Sequence, residues 1–215
     1  MPAADRATLQ KRWNDLCTRV GFGACDGVFD QLLTRYTGSD RHYHDIGHIE
    51  MSLRELDAVR DHCENADAVE LAIWFHDCVY DGRRLDNEER SADVARAALA
   101  KMGADPHLVS CVVDLILATR HVAPPAAGDQ EWLVDIDLAP LGAAAAVFDA
   151  NGESIRREYA HLDDATYARA RSEILERFLE RPSIYATEPF ASRYEQQARS
   201  NLARSLGRKN GDARG

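Results

Sequence analysis

The stretch Ala66-Asp67-Ala68-Val69-Glu70-Leu71-Ala72-Ile73-Trp74-Phe75-His76-Asp77-Cys78-Val79-Tyr80 decides how the rest of the chain is read. Its run Val69, Leu71, Ala72, Ile73, Trp74, Phe75 is the most apolar in the sequence and suits either a buried strand or a buried helix. Its length and the charge of Glu70 favour a central helix with His76-Asp77 at its C-terminal end. A carboxylate there costs several kcal/mol if it is buried without a partner. A metal is a sufficient partner; solvent at an open helix end is the plainer one.

Upstream lies Arg41-His42-Tyr43-His44-Asp45-Ile46-Gly47-His48-Ile49. Ile46, Ile49, Leu53, Leu56 and Val59 predict a helix from about Tyr43 to Arg60. That helix would put His44 and His48, four apart, on one face. Both could ligate a metal, or one could ligate while the other meets a substrate; a pair of surface or capping histidines is the plainer reading. His42 falls off that face and reads as structural. Downstream, Asp135-Ile136-Asp137-Leu138 follows the loop Pro124-Pro125-Ala126-Ala127-Gly128 and stands near the start of a helix expected over Trp132 to Phe148. Carboxylates at a helix start are also favoured by the dipole alone.

The remaining pattern is helical too. Leu9, Trp13, Leu16 and Val20 mark a helix over about 5–20, broken at Gly21-Phe22-Gly23. Further helices are expected over 26–36, from Asn87 to about Met102, and from Pro106 to about Thr119. The last third, Ser154 to Leu206, reads as charged helix interrupted at Pro182 and Pro189. No stretch alternates convincingly with a period of two, so the fold class is all-α.

Bulk properties narrow the function. The net charge of −10 repels a phosphate backbone and an anionic bilayer, so neither general nucleic-acid binding nor membrane binding is expected. A small phosphorylated substrate stays open, because a bound dication reverses the local field. The 5 cysteines, without a CxxC pair, read as reduced thiols of a cytoplasmic protein. The charged start MPAADRATLQKRW lacks the apolar core of a signal peptide, and the apolar run Leu138 to Val147 is too short to span a bilayer.

The order His…His-Asp…Asp, each on a different expected helix, resembles the HD superfamily of metal-dependent phosphohydrolases, named for its His-Asp doublet. More specifically it is similar to the branch of predicted metal-dependent HD phosphohydrolases. The stretches that carry the resemblance are RHYHDIGHIE, ELAIWFHDCVYD, DNEERSA, DIDLAPLG and the tail pieces IRREY, FLERPSIY and ARSNL, which together cover most of the chain from Arg41 onward. The resemblance implies a compact helical bundle of the HD-domain type with a C-terminal helical extension. In that reading residues 1–215 form a single domain, with a core at about 41–142 flanked by helices at 5–36 and 152–206.

It also implies the metal ligands His48, His76, Asp77 and one of Asp135 and Asp137. The family pattern sets that last ligand just before a leucine-containing turn, which favours Asp137-Leu138 and leaves Asp135 as runner-up. The YHxxxHI string is similar to the YHNxxHA string of cyclic-nucleotide phosphodiesterases, where the second histidine binds metal and the first is a general acid. Carried over, His48 is a ligand and His44 the proton donor to the leaving oxygen, with Asp45 standing where that branch has Asn.

The implied reaction is hydrolysis of a small phosphomonoester or phosphodiester, with a nucleotide favoured, by a water activated on one or two divalent cations (Mn, Mg, Co, Zn, Ni or Fe). Asp77 would act as ligand and in catalysis. Arg41, Glu88, Arg120 and His121 are the candidates for holding substrate, each also readable as an ordinary solvated or helix-start charge. A homodimer is compatible with all of this. Two other readings compete. A di-iron oxygenase of the same fold needs extra histidines between the doublet and the last Asp, where only His107 and His121 stand. A regulatory module would keep the metal for structure alone.

Overall fold

The computed structural model describes residues 6–23 and 25–212. Among them are helices α1 (Arg6–Val20), α2 (Asp26–Tyr36), α3 (Ile46–Val59), α4 (Ala66–Phe75), α5 (Asn87–Lys101) and α6 (Pro106–Ala118). They continue as α7 (Asp129–Leu138), α8 (Ala145–Glu158), α9 (Asp164–Leu179) and α10 (Glu188–Asp212), with 3₁₀ turns at Arg60–His62 and Ala139–Gly142. No strand occurs among the described residues, so the protein is all-α. No described helix is long and apolar enough to cross a membrane. The chain divides into two compact units, Met1–Val134 and Asp135–Gly215, and the division falls inside α7.

In the first unit α4 is the central helix: α1, α3, α5 and α6 all pack on it. Every residue from Ala68 to Phe75 is buried. An edge-to-face cluster locks it in place, with Trp13 and Trp74 centroids 5.6 Å apart and Phe29 6.1 Å from Trp74. The helix starts where the Asn65 side chain accepts a hydrogen bond from the Ala68 N–H. Just before it, the Asp129 carboxylate at the first residue of α7 accepts from the Glu64 and Asn65 N–H groups, both at 2.8 Å.

Glu70, the charge that spoke for a helix in this run, is fully buried. Three arginines meet it: Arg12 Nε at 2.8 Å, Arg19 Nη2 at 2.7 Å, and Arg60 Nη2. Asp57 pairs with Arg12, and Asp67 with Arg19 and Arg60, so three cations face three carboxylates.

In the second unit the 3₁₀ turn at Ala139–Gly142 packs on α10. A Cβ on Gly142 would stand 2.6 Å from Tyr194 Cβ, so only glycine admits this approach. Asn201 Nδ2 donates to the carbonyls of Leu141 and Ala143 at 2.9 and 2.8 Å.

Four expected boundaries move. The helix of the first motif begins at Ile46 rather than Tyr43, because Asp45 caps it by accepting from the N–H groups of Gly47 and His48. The central helix ends at Phe75, just short of the expected end at His76-Asp77, and His76 is its cap. The helix expected over 132–148 is two helices: Pro140 lacks the N–H that α-helix continuation needs, and the chain turns before α8. Pro189 does not interrupt a helix but sits in the first turn of α10, where proline is tolerated.

Candidate metal centre

His48 is the third residue of α3 and His76 the cap of α4, both buried. The packing of α3 on α4 brings their rings together, with Nε2 to Nε2 at 3.1 Å. His76 Nδ1–H donates to the Ile73 carbonyl at 3.0 Å, which fixes the tautomer and leaves a lone pair on Nε2 in the neutral ring. Asp77, at 8% exposure, turns its Oδ2 to within 3.1 Å of His76 Nε2 and 3.7 Å of His48 Nε2. Burial alone would raise the Asp77 carboxyl. When protonated, the imidazoles of His76, His44 and His48 outweigh it, His76 also by a hydrogen bond, and hold the group well below the usual carboxylate range. Asp77 is therefore an anion at neutral pH.

The three donor atoms pass a test of size. Ligands about 2.1 Å from one cation stand about 3.0 Å apart at a right angle and about 3.4 Å apart at the tetrahedral angle. The two separations of 3.1 Å lie in that interval and the third, 3.7 Å, opens to a wider angle. The three atoms lie on a circle of radius about 1.9 Å, so an ion of ordinary bond length fits them all. A proton on His48 Nε2 also satisfies the imidazole pair, as a plain hydrogen bond. His48 and His76 are residues that could hold a metal ion.

No family model, no curated protein and no solved structure matches this chain.

His44 is not on α3. It lies in the loop before the Asp45 cap, so helical spacing does not set its relation to His48. Instead its half-buried ring stacks on Tyr80, with centroids 3.9 Å apart and planes at 24°, and meets Tyr43 edge-on. The His44 and His48 rings are 6.1 Å apart. Arg41 holds this loop. Its Nη1 donates at 2.8 Å to the carbonyls of His44 and Asp77, its Nη2 to that of Cys78 at 3.3 Å, and its guanidinium lies over the Tyr36 and Tyr80 rings. Arg41 is thus a strut between the two motifs.

On α5, Glu88 is half-buried. Burial raises its carboxyl above the usual range; Asp77 adds to the rise and His121 opposes it. Arg120 pairs with Glu89 at 2.9 Å, with both side chains well exposed. His121 has φ 55°, a left-handed conformation that costs a non-glycine residue about 1–2 kcal/mol. Strain of this kind is concentrated at functional sites. His107, the other histidine of that interval, is exposed on α6 with Nδ1 3.6 Å from Cys111 Sγ.

The two candidate aspartates separate. They lie on the last turns of α7, not near a helix start. Asp135 is fully buried, and its carboxylate accepts from Ala186 N at 2.8 Å, Thr187 N at 2.7 Å and Thr187 Oγ1 at 2.6 Å. Its oxygens already anchor the segment that leads into α10. Asp137 is half-buried on the same helix. Asp135→Ala strands three donors and is expected to lower stability by about 1–3 kcal/mol in thermal or urea unfolding, while metal binding measured by calorimetry persists. Loss of metal without loss of stability would return Asp135 to the ligand set.

Proposed function

We propose that this chain is a metal-dependent phosphohydrolase of the HD type, acting on a small phosphorylated molecule, with a nucleotide as the first class to test. One observation carries the reading. Two imidazole nitrogens and an ionised carboxylate, from helix ends far apart in sequence, converge at separations that suit one divalent cation. Asp137 is the fourth ligand in this proposal. A bound dication would supply Lewis acidity and a more acidic water.

The chain's own groups supply the rest. Asp77 stays anionic, and the Ile73 carbonyl keeps the His76 lone pair on Nε2. His44, part-exposed and stacked on Tyr80, is the proton donor to the leaving oxygen. His121 and Arg120 offer cationic or donor groups to the phosphate. Glu88, whose carboxyl burial pushes upward, holds a proton more readily than a surface glutamate. Arg41, expected to touch substrate, is assigned instead to holding the His44 loop against the Asp77–Cys78 backbone.

The test is phosphate release from a panel of nucleotides and sugar phosphates, each supplemented with Mn²⁺, Mg²⁺, Co²⁺, Zn²⁺, Ni²⁺ or Fe²⁺. Metal-dependent turnover of one class is the expected result. His44→Ala is expected to keep its metal and lose turnover by about 100-fold or more, the contribution of a positioned acid. Silence of the wild-type protein across the panel, with metal bound, would overturn the hydrolase reading.

A further inference from the structure

The segment that follows the His76-Asp77 doublet is held by two side chains whose place in the site was not evident from the sequence. Ser91 Oγ accepts from the Val79 N–H at 3.0 Å and donates to the Val79 carbonyl at 3.2 Å. Asn87 repeats the pattern one helical turn earlier: Oδ1 accepts from the Asp81 N–H at 3.0 Å and Nδ2 donates to the Asp81 carbonyl at 3.1 Å. Both N–H and both C=O groups of alternate residues are thus bound by side chains four apart on α5. The dimensions match. Four residues of helix rise about 6 Å, and two residues of extended chain span about 6.6 Å. Ser91 is fully buried and Asn87 is 7% exposed, so this side-chain ladder is shielded from competing water.

Tyr80 is the residue between the two rungs. Its ring stacks on His44 at 3.9 Å, and the Arg41 guanidinium stands 5.6 Å from its centroid. The backbone of His44 is meanwhile tied to Asp77 through Arg41. The ring of His44 thus has Tyr43 at its edge and Tyr80 on its face, and the stacking contact is carried by a residue pinned on both sides.

We propose that Asn87 and Ser91 are positioning residues for His44, acting through Tyr80. They touch neither the donor atoms nor the His44 ring. They fix Val79 and Asp81, these fix Tyr80, and the Tyr80 face sets the orientation from which the imidazole presents a proton. Only the kinetic arm of this inference rests on the hydrolase reading; the placement of the ring stands apart from it.

The experiment uses the full chain with ¹³C-labelled histidine, the His44 ring signal being assigned by its loss in His44→Gln. In the wild type the Tyr80 ring current displaces the His44 ring protons upfield. Tyr80→Leu removes the displacement and Tyr80→Phe retains it. Ser91→Ala and Asn87→Ala each lose at least half of it, while circular dichroism and bound metal remain those of the wild type. An unchanged His44 signal in folded Ser91→Ala and Asn87→Ala would overturn the proposal, as would an unchanged signal in Tyr80→Leu. In the kinetic arm, with whichever substrate the phosphate panel yields, Ser91→Ala lowers kcat about tenfold with KM and metal content held, the signature of a misaligned group. A displaced ring with full kcat would leave the positioning intact and remove the acid role from His44, so the two failures are told apart.

Discussion

Asp77→Ala is expected to lose divalent-metal binding and phosphate release together, each by about 100-fold or more. The reason is the position of its Oδ2, 3.1 Å from His76 Nε2 and 3.7 Å from His48 Nε2. Removing it leaves the two imidazoles without the carboxylate that stands beside them, and only Asp137, of the proposed ligands, to offset the charge of a dication. Losing a mere outer-shell partner already costs about 10- to 100-fold in affinity, and a ligand costs more. Isothermal titration with Mn²⁺, followed by metal analysis after dialysis, measures the loss. Asp77→Asn keeps the volume and separates charge from packing. A variant that retained its full complement of metal would sink the site assignment.

Glu70→Ala is expected to destabilise the first unit strongly. It removes the one carboxylate that Arg12, Arg19 and Arg60 share. Removal of one partner from a buried ion group costs about 3–5 kcal/mol, because the charges left behind lose their compensation. The arginine side chains are 22–40% exposed and can recover some water, so the low end, about 3 kcal/mol, applies. For a chain of this length that is a fall in Tm of about 6–12 °C. Trp13, Trp74 and Trp132 all lie in the first unit, so tryptophan fluorescence reads its unfolding directly. Arg19→Ala, at the most exposed of the three arginines, should cost far less. Equal costs for the two variants would show that Glu70 is not the hub.

Much of the first unit is legible in the sequence because its helices carry a stripe. Leu9, Trp13 and Leu16 bury as their spacing predicts, and Gly21 and Gly103, at φ 79° and 82°, stop their helices where glycine is needed. The apolar stretch 66–80 is harder, and Glu70 was a sound guide to helix for a reason invisible locally. Its partners Arg12 and Arg19 lie 58 and 51 residues away. The His76-Asp77 and His48 convergence was readable as an order of motifs. The position of His44 was not, since Asp45 serves as a cap and so expels His44 from the helix that its spacing implied. Nor was the task of Arg41, whose carbonyl partners are set by tertiary packing. Asp135 and Asp137 look alike in sequence. Only the hydrogen bonds from Ala186 and Thr187 distinguish them, some fifty residues downstream.

The two rungs from Asn87 and Ser91 also govern where the chain can change length. Between them and the doublet, residues 82–86 bulge outward, with Leu85 at 95% exposure and the Arg84 side chain paired with Asp86 of the same loop. Extra residues spliced there extend a loop whose two ends are already pinned, and doubling such a loop costs only about 0.6 kcal/mol. One residue added between Asp77 and Val79 would instead shift the register, presenting the wrong amides to Ser91 and Asn87. The segment thus pairs a stretch free to drift in length with one that has no such freedom, a natural place to graft a reporter peptide beside the site without moving it.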